Sequence, residues 1–250
     1  MNPIDNVTFE VLDEIGVICL DNPPANELVI PGFIPVAIFK EWTDSASLKG
    51  LIIKGAGKNF SAGGNLDVIF KTADHPDILQ SLMRDGLELL KFIRRLEIPI
   101  VAAINRVCFG AGLEIALACH IRVASANALL AFPESNQNLM PGMGGTAMLP
   151  GFSGFSQSAK MILGGDMINA ADAKELGLVD FIAPKDQAFE YALTLMQKMT
   201  HGRPVKVITS IMKALKNSSD LSQDEAMAEE TKLFCSLALD EAMRRKTSEA

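Results

Sequence analysis

Short apolar runs and longer stretches of evenly spaced apolar positions alternate along the first three quarters of the chain. The runs Val7–Leu12, Ile15–Leu20, Gly50–Lys54, Ile100–Ile104 and Ile121–Ala124 are rich in β-branched residues and predict strands. Between them, Ile78 to Leu96 sets Leu79, Leu82, Met83, Leu87, Leu90 and Ile93 at helical spacing with charges elsewhere, which predicts a helix with one buried face. Strands alternating with helices predict an α/β fold. From about Asp186 the pattern is helical to the end, with breaks expected at Gly202–Pro204 and Asn217–Asp220. The expected division is therefore a core over residues 1–185 and a helical region over 186–250. Val29–Phe39 fits less simply, because its helical pattern from Val36 follows Pro31 and Pro35, which delay or kink a helix start.

Composition narrows the class. With 250 residues, 48% of them hydrophobic, the chain has enough apolar material for a substantial core. A net charge of −7 argues against a phosphate backbone as the main partner, since nucleic-acid binding needs a basic field. Cys19, Cys108, Cys119 and Cys235 form no C-x-x-C pair, so neither a metal knuckle nor a disulfide framework is expected, and a reducing compartment fits. The first residues show no basic and apolar leader pattern, and no 18-residue apolar stretch occurs, so a soluble cytoplasmic protein without membrane contact is expected.

Candidate chemistry lies in three glycine-rich stretches and two acids. Asn59–Leu66, Phe109–Glu114 and Met140–Thr146 each contain a glycine turn leading into a helical pattern. Such turns let a ligand approach the main chain and leave N–H groups unpaired at a helix start. Two such donors converging on a thioester oxygen would form an oxyanion hole. Glu114 follows the second turn, and Glu134 follows Phe132–Pro133; each acid sits where a carboxylate can enter a cleft. Other motifs fail. Gly142–Ala147 resembles a dinucleotide fingerprint but does not follow a first strand, and Gly55–Ser61 lacks P-loop spacing. Neither Gly151–Gly154 nor Gly154–Ser158 closes as a nucleophile elbow. Of the three histidines only His120 lies near a glycine turn, and its place at an apolar helix end reads as a hydrogen-bonded structural residue or a C-terminal cation.

Six motifs in order make the chain resemble the crotonase, or enoyl-CoA hydratase/isomerase, superfamily. They are Asn22–Asn26, Lys58–Gly64, Pro99–Asn105 leading into Gly110–Glu114, Phe132–Glu134, Pro141–Thr146 and Ala170–Val179, and the resemblance spans about residues 7–235. It implies a spiral of ββα turns, two roughly perpendicular sheets, and a C-terminal helical region that mediates a trimer or a dimer of trimers. It further implies an acyl-CoA or acyl-carrier-protein thioester as substrate, without a cofactor or metal. By the family pattern Gly64 and Ala111 supply the oxyanion hole, Glu134 exchanges a proton at the α-carbon, and Glu114 activates water. The N–H of Gly142 would help place the water or the second acid, while Pro24, Ala25, Ala62 and Gly63 would line the thioester and CoA path.

Carboxylates at both 114 and 134 resemble the hydratases of the superfamily and favour water addition to a trans-2-enoyl thioester. Isomerase, decarboxylase or thioester hydrolase chemistry on the same hole, and a non-catalytic thioester-binding subunit, are the alternatives. Asn65 and His120 stand where many members carry Asp. The end of the chain offers Arg244, Arg245 and Lys246, which suit either phosphates or an ordinary basic helix end, where an aromatic and lysine segment is common in the family.

Overall fold

The computed structural model describes residues 6–29, 34–45 and 47–248. In chain order the elements are β1 (Val7–Leu12), β2 (Ile15–Leu20), α1 (Val36–Ser45), β3 (Gly50–Gly55), α2 (Leu66–Thr72), α3 (Pro76–Arg95), β4 (Ile100–Ile104), β5 (Val107–Phe109) and α4 (Ala111–Ala118). There follow β6 (Ile121–Ser125), β7 (Leu129–Ala131), a 3-10 turn (Pro133–Gln137), α5 (Gly145–Met148), α6 (Pro150–Gly164), β8 (Ile168–Asn169), α7 (Ala170–Glu175), β9 (Phe181–Ala183), α8 (Ala188–Thr200), α9 (Val205–Asp220) and α10 (Gln223–Ser248). The helix expected after Pro35 starts at Val36; Pro31 lies outside the described residues.

The larger sheet has the order β1-β2-β3-β4-β6-β9, with β1 and β2 antiparallel and every other pair parallel. Its strands β2 and β4 read as unbroken apolar runs because both faces are buried. Alternate residues serve the two faces. Leu51 and Ile53, with Ile100, Ala102 and Ile104, face the main core, where Leu89, Leu90 and Ile93 of α3 and most of α4 also pack. Ile52, Val101 and Ala103 face the other way, onto Ala188, Ala192 and Met196 of α8. So α8, which begins beyond the expected boundary at 185, packs on the sheet with the core. The segment that stands off from the core is α9 and α10, where Ile208 is the one buried residue among those whose side chains are described. The expected break at Asn217–Asp220 falls inside the last turn of α9; the chain turns at Leu221 instead.

The smaller sheet, β5-β7-β8, positions the candidate chemistry. Strand β5 runs parallel to β7, and Ser61 bridges in parallel to Cys108 of β5. Three segments far apart in sequence therefore leave one sheet edge in the same direction. They continue as Gly63–Gly64, as Gly110–Ala111 and as Phe132–Glu134.

Candidate active site

The Asn26 side chain shapes the first of these segments. It is buried, and its Nδ2 donates to the carbonyls of Ala56, Asn59 and Phe60 at 2.9, 2.8 and 3.3 Å. Ser61 Oγ donates to the Asn26 carbonyl at 2.7 Å and accepts from the Gly63 N–H at 3.1 Å. Main-chain bonds from Ala62 N to the Ala25 carbonyl, Leu28 N to the Gly63 carbonyl and Asn65 N to the Leu28 carbonyl complete the clamp. Among the described residues, neither the Gly64 nor the Ala111 N–H is bonded to an acceptor. Gly63 has φ +100, and a Cβ there would lie 2.9 Å from the Phe109 carbonyl oxygen and 3.4 Å from the Ala111 nitrogen. That close approach brings the two free N–H groups to one place.

They open into a cleft of about 440 Å³ that is also lined by Ala62, Gly63, Gly110, Glu114, Glu134 and Gly142. Pro24 and Ala25 do not line it. The Pro24 carbonyl accepts from Asn59 Nδ2, and Ala25 pairs with Ala62, so both brace the first segment from behind.

Glu114 lies one turn along α4 from Ala111 and is almost fully buried. Its Oε1 accepts from the Met143 N–H at 2.8 Å and the Gly145 N–H at 2.7 Å. Sequence reasoning gave the Gly142 N–H the placing of the water or of the second acid. That residue lines the cleft, and the donors are Met143 and Gly145, one and three places further on. Burial raises the Glu114 pKa, and the hydrogen bonds from Gly145 and Met143 oppose the rise.

Glu134 sits in the 3-10 turn that follows β7. Burial pushes its pKa up to about 7, its own backbone N–H partly opposes this, and the Glu114 charge adds to the rise. Its buried Oε2 has no hydrogen-bond partner among the described residues. Gly110 makes room for this acid, since a Cβ at 110 would stand 2.8 Å from Glu134 Oε1 and the residue has φ +50. The arrangement joins two free N–H donors to two acids that hold protons more readily than ordinary carboxylates.

The model for the enoyl-CoA hydratase/isomerase family matches residues 11–249. The chain belongs to that family. An enoyl-CoA hydratase subunit from Geobacillus kaustophilus is 25% identical with TM-score 0.85, over 99% of this chain and 95% of that one. DspI of Pseudomonas aeruginosa is 29% identical with TM-score 0.85, over 95% and 97%. An enoyl-CoA hydratase from Thermoplasma volcanium is 26% identical with TM-score 0.83, over 98% and 96%. The architecture of this enoyl-CoA hydratase/isomerase family member is the crotonase fold.

Its departures from the family pattern have local explanations. Asn65 caps α2, accepting from the Val68 N–H at 3.0 Å, and its Nδ2 donates to Glu27 at 2.9 Å, which a carboxylate there would be unable to do. His120 accepts from the Ile100 N–H through Nδ1 at 3.1 Å, and burial lowers its pKa, so it is a neutral structural residue and not a helix-end cation. Arg244 and Arg245 both bond to Glu241, as an ordinary basic helix end does. Asn26 and Ser61 lie within the motifs that carry the resemblance, but their side-chain duties had no separate signal. The Met143 and Gly145 donors lie in the third glycine turn, but nothing in it distinguished their N–H groups from that of Gly142.

Proposed function

We propose that the protein adds water reversibly to a trans-2-enoyl thioester, giving the 3-hydroxyacyl thioester. The observation that carries this reading is the presence of two carboxyl groups, Glu114 and Glu134, in one cleft with the free N–H groups of Gly64 and Ala111. The thioester carbonyl oxygen accepts from Gly64 and Ala111. Glu114, ionised and aimed by Met143 and Gly145, takes a proton from water as the water oxygen bonds to C3. The C2–C3 π pair moves into the enolate, whose charge rests on the two N–H donors. Glu134, protonated, then delivers its proton to C2. Dehydration runs the same steps backwards. An isomerase, by contrast, moves one proton between carbons and has no need of a second acid to handle water.

The experiment is an uncoupling. In Glu114→Ala, hydration of an enoyl thioester is expected to fall below detection while slow deuterium uptake at C2 of a saturated acyl thioester, catalysed by Glu134, persists. Retained hydration refutes the two-carboxylate mechanism. A main reaction that stays within a few-fold of normal in this variant assigns the protein to single-acid chemistry instead.

A further inference from the structure

The cleft has a composition that the reaction itself does not require. Glu114 and Glu134 are the only ionisable residues lining it among the described residues; no lysine, arginine or histidine contributes. The wall supplied by α2 and α3 consists of Leu66, Ile69, Leu79 and Met83. Ile69 and Met83 also press on the glycines of the site. A Cβ at Gly64 would stand 3.3 Å from Ile69 Cδ1, and one at Gly142 would stand 2.4 Å from Met83 Cε. The Met83 methyl thus occupies the space beside Gly142 and closes the cleft between α3 and the loop that holds Glu114. Methionine is unbranched and adaptable, so its tip forms a stop that can be moved.

Resting on the proposed reaction, we propose that this cleft selects thioesters of uncharged aliphatic acids, and that Met83 is the specificity-determining residue that sets the length of tail accepted. A tail carrying its own carboxylate would enter a cleft with no cation to pair it and with two acids already present, where only the neutral amides of Asn136 and Gln137 could partly offset its desolvation. An alkyl tail gains with each methylene buried along Leu66, Ile69 and Leu79, until it reaches Met83.

The test is calorimetric titration of saturated acyl-CoAs, which bind without reacting, so the outcome is separate from whether the protein hydrates anything. Wild-type protein is titrated with butanoyl-, pentanoyl-, hexanoyl-, octanoyl-, dodecanoyl- and glutaryl-CoA. Affinity is expected to climb roughly fourfold per added methylene, the transfer value of a buried CH₂, and then to level off. Glutaryl-CoA should bind at least about tenfold more weakly than pentanoyl-CoA, the same chain without the charge. Met83→Ala should move the plateau to longer tails, and Met83→Phe to shorter ones; a purely structural methionine would lower all affinities alike and leave their ratios unchanged. A flat length series, equal binding of glutaryl- and pentanoyl-CoA, no binding of any acyl-CoA, or unchanged ratios in both Met83 variants overturns the proposal. Normal binding selectivity in a protein that fails to hydrate enoyl thioesters would instead leave it standing and remove the proposed reaction.

Discussion

Glu134 meets opposition to its ionised form from burial and from the Glu114 charge, and titrates near pH 7. In the proposed reaction one proton enters the pair from water at Glu114 as one leaves it to carbon from Glu134. The active pair therefore holds a single proton before and after the step, and hydration and dehydration must share one pH profile. kcat/KM in both directions is expected to fall as pH rises through about 7, when the pair loses that proton, and to fall again on the acid side, when it gains a second. Rates measured in both directions from about pH 5 to 9 check this; a profile that fails to fall on both sides of its maximum would contradict the shared-proton scheme. Glu134→Gln keeps the shape but not the proton, and kcat is expected to drop by about 100-fold or more with thioester binding mostly kept. The same change should stabilise the fold. Because the folded pKa lies above the unfolded one, the native state binds the extra proton as pH rises from the ordinary carboxylate range to about 7, and stability declines across that window. The Tm gain of Glu134→Gln should thus be largest above pH 7 and vanish below the ordinary carboxylate range.

Among the elements, the inner strands of the large sheet were legible because burial of both faces favours apolar runs, as at Ile100–Ile104. Strands β5, β7, β8 and β9 were not, since two or three residues give no period to read. Yet β5 and β7 set the direction of the site segments. The glycine turns and both acids were visible as side chains and spacings, whereas Met143 and Gly145 act through main-chain N–H groups, which look alike at every residue. The segment leading to Gly64 depends on Asn26. In Asn26→Ala three carbonyls lose a donor in a buried setting, and the residue must also hold φ +53 without the side chain that favours it. A stability loss of roughly 1–3 kcal/mol is expected from denaturant titration, with a fall in kcat larger than any rise in KM, because in the proposed reaction the Gly64 N–H acts on enolate charge. A catalytically normal but less stable variant would separate the clamp from the oxyanion hole.

At the scale of the whole molecule the outer helices remain incomplete. On α10 no residue with a described side chain is buried, and it exposes Met227, Phe234 (70%), Leu239 and Met243, while α9 exposes Ile211 and Leu215. Helices of this kind owe their stability to a packed apolar face, and exposed apolar surface on this scale marks an association site. Self-association, as a trimer or a dimer of trimers, is the expected state in sedimentation velocity. Phe234→Glu is expected to shift the protein to smaller species; an unchanged distribution would place the contact elsewhere. Within the core, labour is divided unevenly between the three strand ends. Ala111 and Glu114 ride on one helix, separated by three residues or roughly 4.5 Å of rise, so neither can be moved without the other. Glu134 stands alone on a five-residue turn. For anyone redesigning this scaffold, the helix is the fixed jaw of a vice and the turn its interchangeable bit: grafting Pro133–Gln137 alone would replace Glu134 and leave the Ala111 N–H and Glu114 on their helix.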